Sequence, residues 1–153
     1  MSSLRIIAIG KKHESWVAEG IARYEKRLKK PFDYEWVFLP HSSRDGLAAR
    51  QEESERILQR LSDDECVVLL DERGKMLDSP GLAQLLLAPL ESSRRVALII
   101  GGAYGVDETV HQRANTVWSL SPLVFPHQLV RLILAEQLYR AQEISAGNPY
   151  HHV

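Results

Sequence analysis

One cysteine in 153 residues, Cys66, leaves no internal disulfide to close and no thiol pair at zinc-ligand spacing. It opens the apolar run Cys66-Val-Val-Leu-Leu70 and reads as a small buried core residue. No apolar run approaches the length a bilayer requires, and the N-terminus lacks an apolar segment followed by a small-residue cleavage site. The chain is therefore expected in the cytoplasm, away from membranes. Charge of either sign is not in excess: 19 Lys and Arg against 20 Asp and Glu give a formal net charge of −1. That balance excludes a protein that wraps naked nucleic acid by bulk electrostatics. A local basic surface stays open, because residues 11–30 hold Lys11, Lys12, Arg23, Lys26, Arg27, Lys29 and Lys30 against Glu14, Glu19 and Glu25. Repeats, linkers and low-complexity tracts are lacking too, so one domain over 1–153 is expected, large enough to bury a core without staples.

What is present alternates between two periods. Leu4–Ile9 is β-rich and stops at Gly10; residues 13–30 place Val17, Ile21, Tyr24 and Leu28 at helical spacing. Tyr34–Leu39 alternates like a strand, and 45–61 reads as a charged helix that turns Ile57, Leu58 and Leu61 inward. Cys66–Leu70 is a continuous apolar run, typical of a parallel strand covered on both faces, after which Asp71-Glu-Arg-Gly74 is expected to turn the chain. Ser79 and Pro80 start a helix to about Leu87, and Val96–Ile100 is a second buried strand. A short helix over 106–114, a strand over 116–120 and a helix over 127–143 complete the pattern. Such alternation defines an α/β fold, a mainly parallel sheet with helices on both faces.

Gly101-Gly-Ala-Tyr-Gly105 comes directly after a buried strand. It has neither the GxGxxG spacing of a dinucleotide site nor the Lys-Ser/Thr of a P-loop, so no phosphate cradle is evident. It reads either as a tight turn or as the glycine lining of a ligand pocket, since glycine lets a ligand approach the backbone. The next strand breaks at Pro122 and Pro126, because each proline removes a ladder donor. Between them stand Leu123, Val124 and Phe125, apolar where turn residues are usually polar; such loops meet a ligand or a partner, or are plainly buried. Arg131 is expected in the first turn of the last helix, where the macrodipole disfavours a cation and an anion would compensate: a carboxylate or an RNA phosphate, unless solvent does so. Of the six histidines, His111, His127, His151 and His152 lie near the C-terminus, without the carboxylates or cysteines of a metal site at ligand spacing. No metal is expected; a histidine there suits proton transfer or RNA contact, and Tyr150 suits stacking on an unpaired base.

These segments together carry a resemblance. Leu69-Leu-Asp-Glu-Arg-Gly74, Leu98-Ile-Ile-Gly-Gly-Ala-Tyr-Gly105, Trp118-Ser-Leu-Ser-Pro-Leu-Val-Phe-Pro-His-Gln-Leu-Val-Arg131, Glu136-Gln-Leu-Tyr-Arg-Ala141 and Asn148-Pro-Tyr-His151 resemble the RlmH family of ribosomal RNA methyltransferases, compact members of the SPOUT class. The resemblance spans the chain, from Arg5-Ile-Ile-Ala-Ile-Gly10 to the tail. It implies S-adenosylmethionine as methyl donor, N3 of a pseudouridine in 23S rRNA of the assembled ribosome as acceptor, a homodimer, and a C-terminal trefoil knot that chain physics alone would not propose.

Carried onto this sequence, the cofactor loops fall at Leu70 and Asp71, at Gly101 and Gly102, and along Ser121, Pro122, Leu123, Val124, Phe125 and Pro126. Near the acceptor, His127, Tyr150 and His151 are candidates to take the N3 proton, with Arg131 as clamp on a phosphate or base. The chain departs from the family at its end, where His152 and Val153 stand in place of an expected basic residue. Helix 127–143 is apolar over Leu129, Val130, Leu132, Ile133, Leu134, Leu138 and Ala141, more than one core-facing stripe, which suits a subunit interface or a core helix covered twice. Three other readings compete: a transfer-RNA methyltransferase of the same class, a non-catalytic nucleotide- or RNA-binding module, and a hydrolase using Ser119 or Ser121. The last lacks a Gly-x-Ser-x-Gly elbow.

Overall fold

Strands whose residues are apolar on both sides demand cover on both sides, and the chain provides it. The structure is a computed structural model that describes residues 2–151. Its elements in chain order are β1 (Leu4–Ile9), α1 (Ser15–Glu25), β2 (Tyr34–Leu39), α2 (Gly46–Leu58), β3 (Cys66–Met76), α3 (Ser79–Glu91), β4 (Val96–Ile100), α4 (Glu108–Arg113), β5 (Thr116–Ser119) and α5 (His127–Ser145). The five strands form one parallel sheet in the order β2-β1-β4-β3-β5. Alternate residues of β1 divide the core: Leu4, Ile6 and Ala8 join α3 and α5 residues such as Leu86, Leu134 and Leu138, while Ile7 and Ile9 join Ile57, Val106 and Val110 on the other face. Cys66 is buried at the head of β3. No helix among the described residues is long and apolar enough to cross a membrane.

Several boundaries differ from those the sequence suggests, α2 ending at Leu58 and α5 running on to Ser145 among them, and three bear on the packing. β3 does not end at Leu70. After a register shift between Leu70 and Lys75 it resumes against β5, pairing Lys75 with Trp118 and Met76 with Ser119, so Asp71–Gly74 is a bulge within a pairing. The register brings Gly74 onto β5: a Cβ there would stand 2.6 Å from both the carbonyl carbon and oxygen of Val117. α3 continues past Leu87 to Glu91 with Pro89 in its last turn. α1 is shorter than its periodicity suggests, because Gln142 of α5 takes over its end, accepting from the Lys29 N–H (2.7 Å) and donating to the Arg27 carbonyl (3.1 Å).

Within the chain α5 is covered from two sides, and Leu129 and Ile133 stay half-buried. It packs between α1 and α3, burying Leu134, Ala135, Leu138 and Ala141. Gly20 of α1 makes room for it, with Leu132 Cδ1 2.8 Å from the point a Cβ would occupy.

One buried ion pair ties β1 to the loop before β3. Glu65, fully buried, accepts from Arg5 Nε (2.9 Å), Arg5 Nη2 (2.8 Å) and the Ser62 N–H (3.0 Å). Burial alone would raise the Glu65 pKa; the hydrogen bonds from Arg5 and Ser62 outweigh it and hold the carboxyl below its usual value. Removing one member of such a pair leaves an uncompensated buried charge. Arg5→Ala is therefore expected to lower unfolding free energy by about 3 kcal/mol, read from urea denaturation; a loss under about 1 kcal/mol would mean that water replaces the guanidinium freely.

Candidate active site at the strand ends

Ligands of open parallel sheets bind beyond the carboxyl ends of the strands. Here β3, β4 and β5 open together onto one cleft of about 490 Å³. Leu70 and Asp71 line it from β3, Gly101 and Gly102 from the turn after β4, Ser121, Leu123, Val124 and Phe125 from the loop after β5, and His127 from the start of α5. Pro122 and Pro126 are not in the lining: they bend the loop, and Pro126 sits at the N-cap of α5. Arg50, Arg73, Tyr104 and Val106 also line the cleft, and sequence reasoning missed them.

The glycine loop proves to be both turn and lining. The Gly105 N–H donates to the Gly102 carbonyl (3.0 Å), and Gly105 takes a positive φ of 75°. Arg50 of α2 fastens the turn by donating to the Tyr104 carbonyl (2.8 Å). A side chain at either leading glycine has no room: a Cβ on Gly101 would lie 3.1 Å from Val106 Cγ1, and one on Gly102 2.5 Å from Glu53 Oε1. The apolar loop opposite is ordered by the Ser121 hydroxyl, which accepts from the Leu123 N–H (3.0 Å). Leu123 and Val124 are nonetheless 69% and 77% exposed, an apolar rim that a flat apolar ligand group would cover. Asp71 accepts from the Arg73 backbone (2.9 Å) and guanidinium and stands 3.2 Å from His111 Nε2. Burial pushes its pKa up, the Arg73 contacts prevail, and the group remains a carboxylate. Neither serine offers a nucleophile. Ser119 is 1% exposed, Ser121 is tied to its own turn, and among the described residues no histidine bonds either.

His127 is held neutral. Burial lowers its pKa first, with Arg131 and His41 adding to the effect against an opposing pull from Glu53. Arg131 is the fifth residue of α5, one turn further in than expected, and 2% exposed. No carboxylate pairs with it among the described residues. Its Nη1 donates to the Lys11 carbonyl (2.8 Å) and lies 3.5 Å from His13 Nδ1, and the guanidinium sits 5.1 Å over the Phe38 ring.

The structure does not bring Tyr150 and His151 to this place within one chain. The tail folds back on the far half of α5, where Tyr150 donates to Glu136 (2.9 Å) and Arg140 Nη1 meets His151 Nδ1 (3.0 Å). Along α5, Arg140 is about 20 Å from His127 at a rise of about 1.5 Å per residue. Burial and then the Glu136 carboxylate push Tyr150 up to about 12, so its phenol is a donor. Arginine only donates, so Nδ1 of His151 accepts and its proton sits on Nε2. His152 and Val153 lie outside the described residues.

Comparison with known proteins fits this geometry. A family described as predicted SPOUT methyltransferase matches residues 2–151. The chain is 44% identical over 152 residues to ribosomal RNA large subunit methyltransferase H of Alkalilimnicola ehrlichii, covering 97% of each chain. It is 48% identical over 148 residues to the protein of the same name from a Synechococcus strain, covering 97% of this chain and 93% of that one. Among solved structures, a methylase family protein from Neisseria gonorrhoeae matches with a TM-score of 0.54 at 14% identity, over 99% of this chain and 86% of its own, and shares the fold. The chain thus belongs to the SPOUT methyltransferases and, within them, to the family of ribosomal RNA large subunit methyltransferase H.

Proposed function

We propose that this chain is an S-adenosylmethionine-dependent methyltransferase that modifies N3 of a pseudouridine in 23S rRNA of the assembled ribosome. It acts in the cytoplasm as a homodimer of single-domain subunits, each with a trefoil knot in its C-terminal part. The observation that carries the reading is a cleft lined by bare glycine backbone, an exposed apolar loop and a neutral histidine. The relatives' name supplies the substrate class. Connectivity supports the knot: α5 leaves edge strand β5 for the face α3 already occupies, while segment 71–76 lies against β5.

The lining suits S-adenosylmethionine. That molecule has no phosphate, and the glycine turn carries neither the GxGxxG spacing nor the Lys-Ser/Thr of a phosphate-binding loop. Its adenine suits the Leu123–Phe125 slot, and its ammonium and carboxylate suit the Asp71 carboxylate and the Arg50 and Arg73 guanidiniums. When bound, it supplies a methyl group on a sulfonium for in-line displacement. The protein's part is alignment and proton removal. His127, unprotonated at neutral pH, has a lone pair for the N3 proton, which it then passes to solvent. Arg131 holds the acceptor side. His151 presents an Nε2–H suited to a ring carbonyl beside N3, while Tyr150, its O–H given to Glu136, offers an aromatic face to the base. Their distance from His127 in one chain supports a dimer in which one subunit's tail serves its partner's cleft. The half-buried Leu129 and Ile133 of α5 and the 52% exposed Trp16 of α1 are apolar surface for that contact.

Incubation with radiolabelled S-adenosylmethionine and ribosomes from cells lacking the enzyme is expected to label N3 of a 23S rRNA pseudouridine, mapped by mass spectrometry. Label confined to transfer RNA would replace the ribosomal substrate. Cofactor binding without any label would leave a non-catalytic module.

A further inference from the structure

Arg131 poses a problem that the cofactor cleft does not answer, because it is absent from the cleft lining. A guanidinium 2% exposed is ordinarily met by a carboxylate; here one carbonyl, one histidine and one aromatic face surround it, and its Nε is buried without a partner among the described residues. Its Nη2 donates to nothing among those residues either. It points instead over Gly10, where Arg131 Nη2 and His41 Nε2 lie 3.3 and 3.1 Å from the point a Cβ would occupy. Gly10, with φ +127°, leaves that spot as bare backbone.

A second feature faces the same way. The N-terminus of α5, a helix of 19 residues, has no side-chain cap and no acidic residue in its first turn. Its open N–H groups and positive dipole end attract an anion, and helical side chains such as Arg131 lean back toward that end. Glu53, the carboxylate behind His41, accepts with Oε2 from the Ser42 N–H (2.9 Å) and stands 3.8 Å from the far nitrogen of His41, while its Oε1, buried without a hydrogen-bond partner among the described residues, lies under Gly102. Lys11 and Lys12 are exposed on the adjoining loop.

Resting on the methyltransferase reading above, we infer that Arg131, His41, the bare backbone of Gly10 and the N-terminus of α5 form an anion site that holds a phosphodiester of the acceptor RNA beside His127. The site lies at the carboxyl ends of β1 and β2, next to the cleft that takes the cofactor. A phosphate fixed there anchors the acceptor nucleotide on the side of His127 away from the methyl donor. Such a contact sets register and orientation without reading a base, so sequence choice is left to the groups that face the acceptor ring.

The test follows the Arg131 Nε–H resonance in the ¹⁵N-labelled full-length protein, assigned by its loss in Arg131→Lys. Adding a short single-stranded RNA oligonucleotide is expected to shift it, inorganic phosphate at millimolar concentration to shift it more weakly, and S-adenosylmethionine alone to leave it in place. The exposed variant His41→Ala, which removes one donor from the site and brings no new charge beside the buried Glu53, is expected to weaken RNA binding about tenfold and to flatten the slope of log affinity against log salt by up to about 0.7, with the fold kept, as circular dichroism reads it. An unmoved resonance at saturating RNA, or unchanged affinity and slope in His41→Ala, would overturn the proposal. A shift caused by S-adenosylmethionine alone would assign the site to the cofactor carboxylate and overturn it equally. A shift with RNA in a protein that labels no ribosome supports the anion site while removing the ribosomal methyltransferase reading.

Discussion

Gly74→Ala is expected to lose both stability and cofactor binding. The added methyl would stand 2.6 Å from the carbonyl carbon and oxygen of Val117 and 2.8 Å from the nitrogen of Trp118. All three atoms are backbone, so no rotamer change relieves the clash. Either β3 lifts away from β5 beyond the bulge, or both strands shift. Overpacking with side-chain relief costs about 1–3 kcal/mol, and this case belongs at or above the upper end. For a domain of this size that is a fall in melting temperature of roughly 10 °C. Because Asp71 and Arg73 line the cleft from the same bulge, S-adenosylmethionine affinity falls with it. Calorimetry on Gly74→Ala beside Gly147→Ala separates crowding from backbone strain: Gly147 has a positive φ of 73° but nothing within 4 Å of its Cβ position. Equal melting temperatures for the two variants would show that the β3–β5 contact yields easily.

His127→Asn is expected to lower turnover by about 10²- to 10⁴-fold, the usual contribution of a positioned general base, while cofactor affinity changes little. The pH profile carries the same information with a defined sign. Burial, Arg131 and His41 depress the His127 pKa below its ordinary 6.5, so the base form is present throughout the neutral range. Turnover falls only as pH drops through that depressed value, and His127→Asn removes this limb. Stability depends on the same groups. His13, lowered by burial and by Arg131, behaves like His127. The unfolded chain protonates both near 6.5 while the folded chain resists, so below about 6.5 the unfolded state binds more protons and stability declines. A variant retaining half of wild-type turnover would remove His127 as the base.

Much of this was legible in the sequence because apolar patterning is local. Cys66–Leu70 and Val96–Ile100 read as buried parallel strands and are so, and the glycine and proline breaks after β4 and β5 mark where the cleft opens. The features that escaped depend on partners far along the chain. Asp71–Gly74 carries turn residues, and only pairing with β5 makes a strand of Lys75 and Met76. Gln142 looks like one more polar helix residue until the end of α1 docks on it. Arg131 read as a cation near a helix end; its burial against the β1–α1 loop and Phe38 has no signature in its own neighbourhood. Tyr150 and His151 sit close to α5 in sequence, yet they dock on Glu136 and Arg140, about 13 to 20 Å along a straight helix from His127.

The sheet order has a consequence for how the protein comes into being. Of the described elements β5 and α5 are made last, yet one completes the cleft from the sheet edge and the other packs between α1 and α3. A growing chain therefore has strands, helices and much of a core long before it has anywhere to bind a methyl donor. These final contacts join residues far apart in sequence, which makes their formation slow. The ligand then selects for the finished product: at a hundredfold excess over its Kd it adds about 2.7 kcal/mol, and withdrawal of the final helix forfeits all of it.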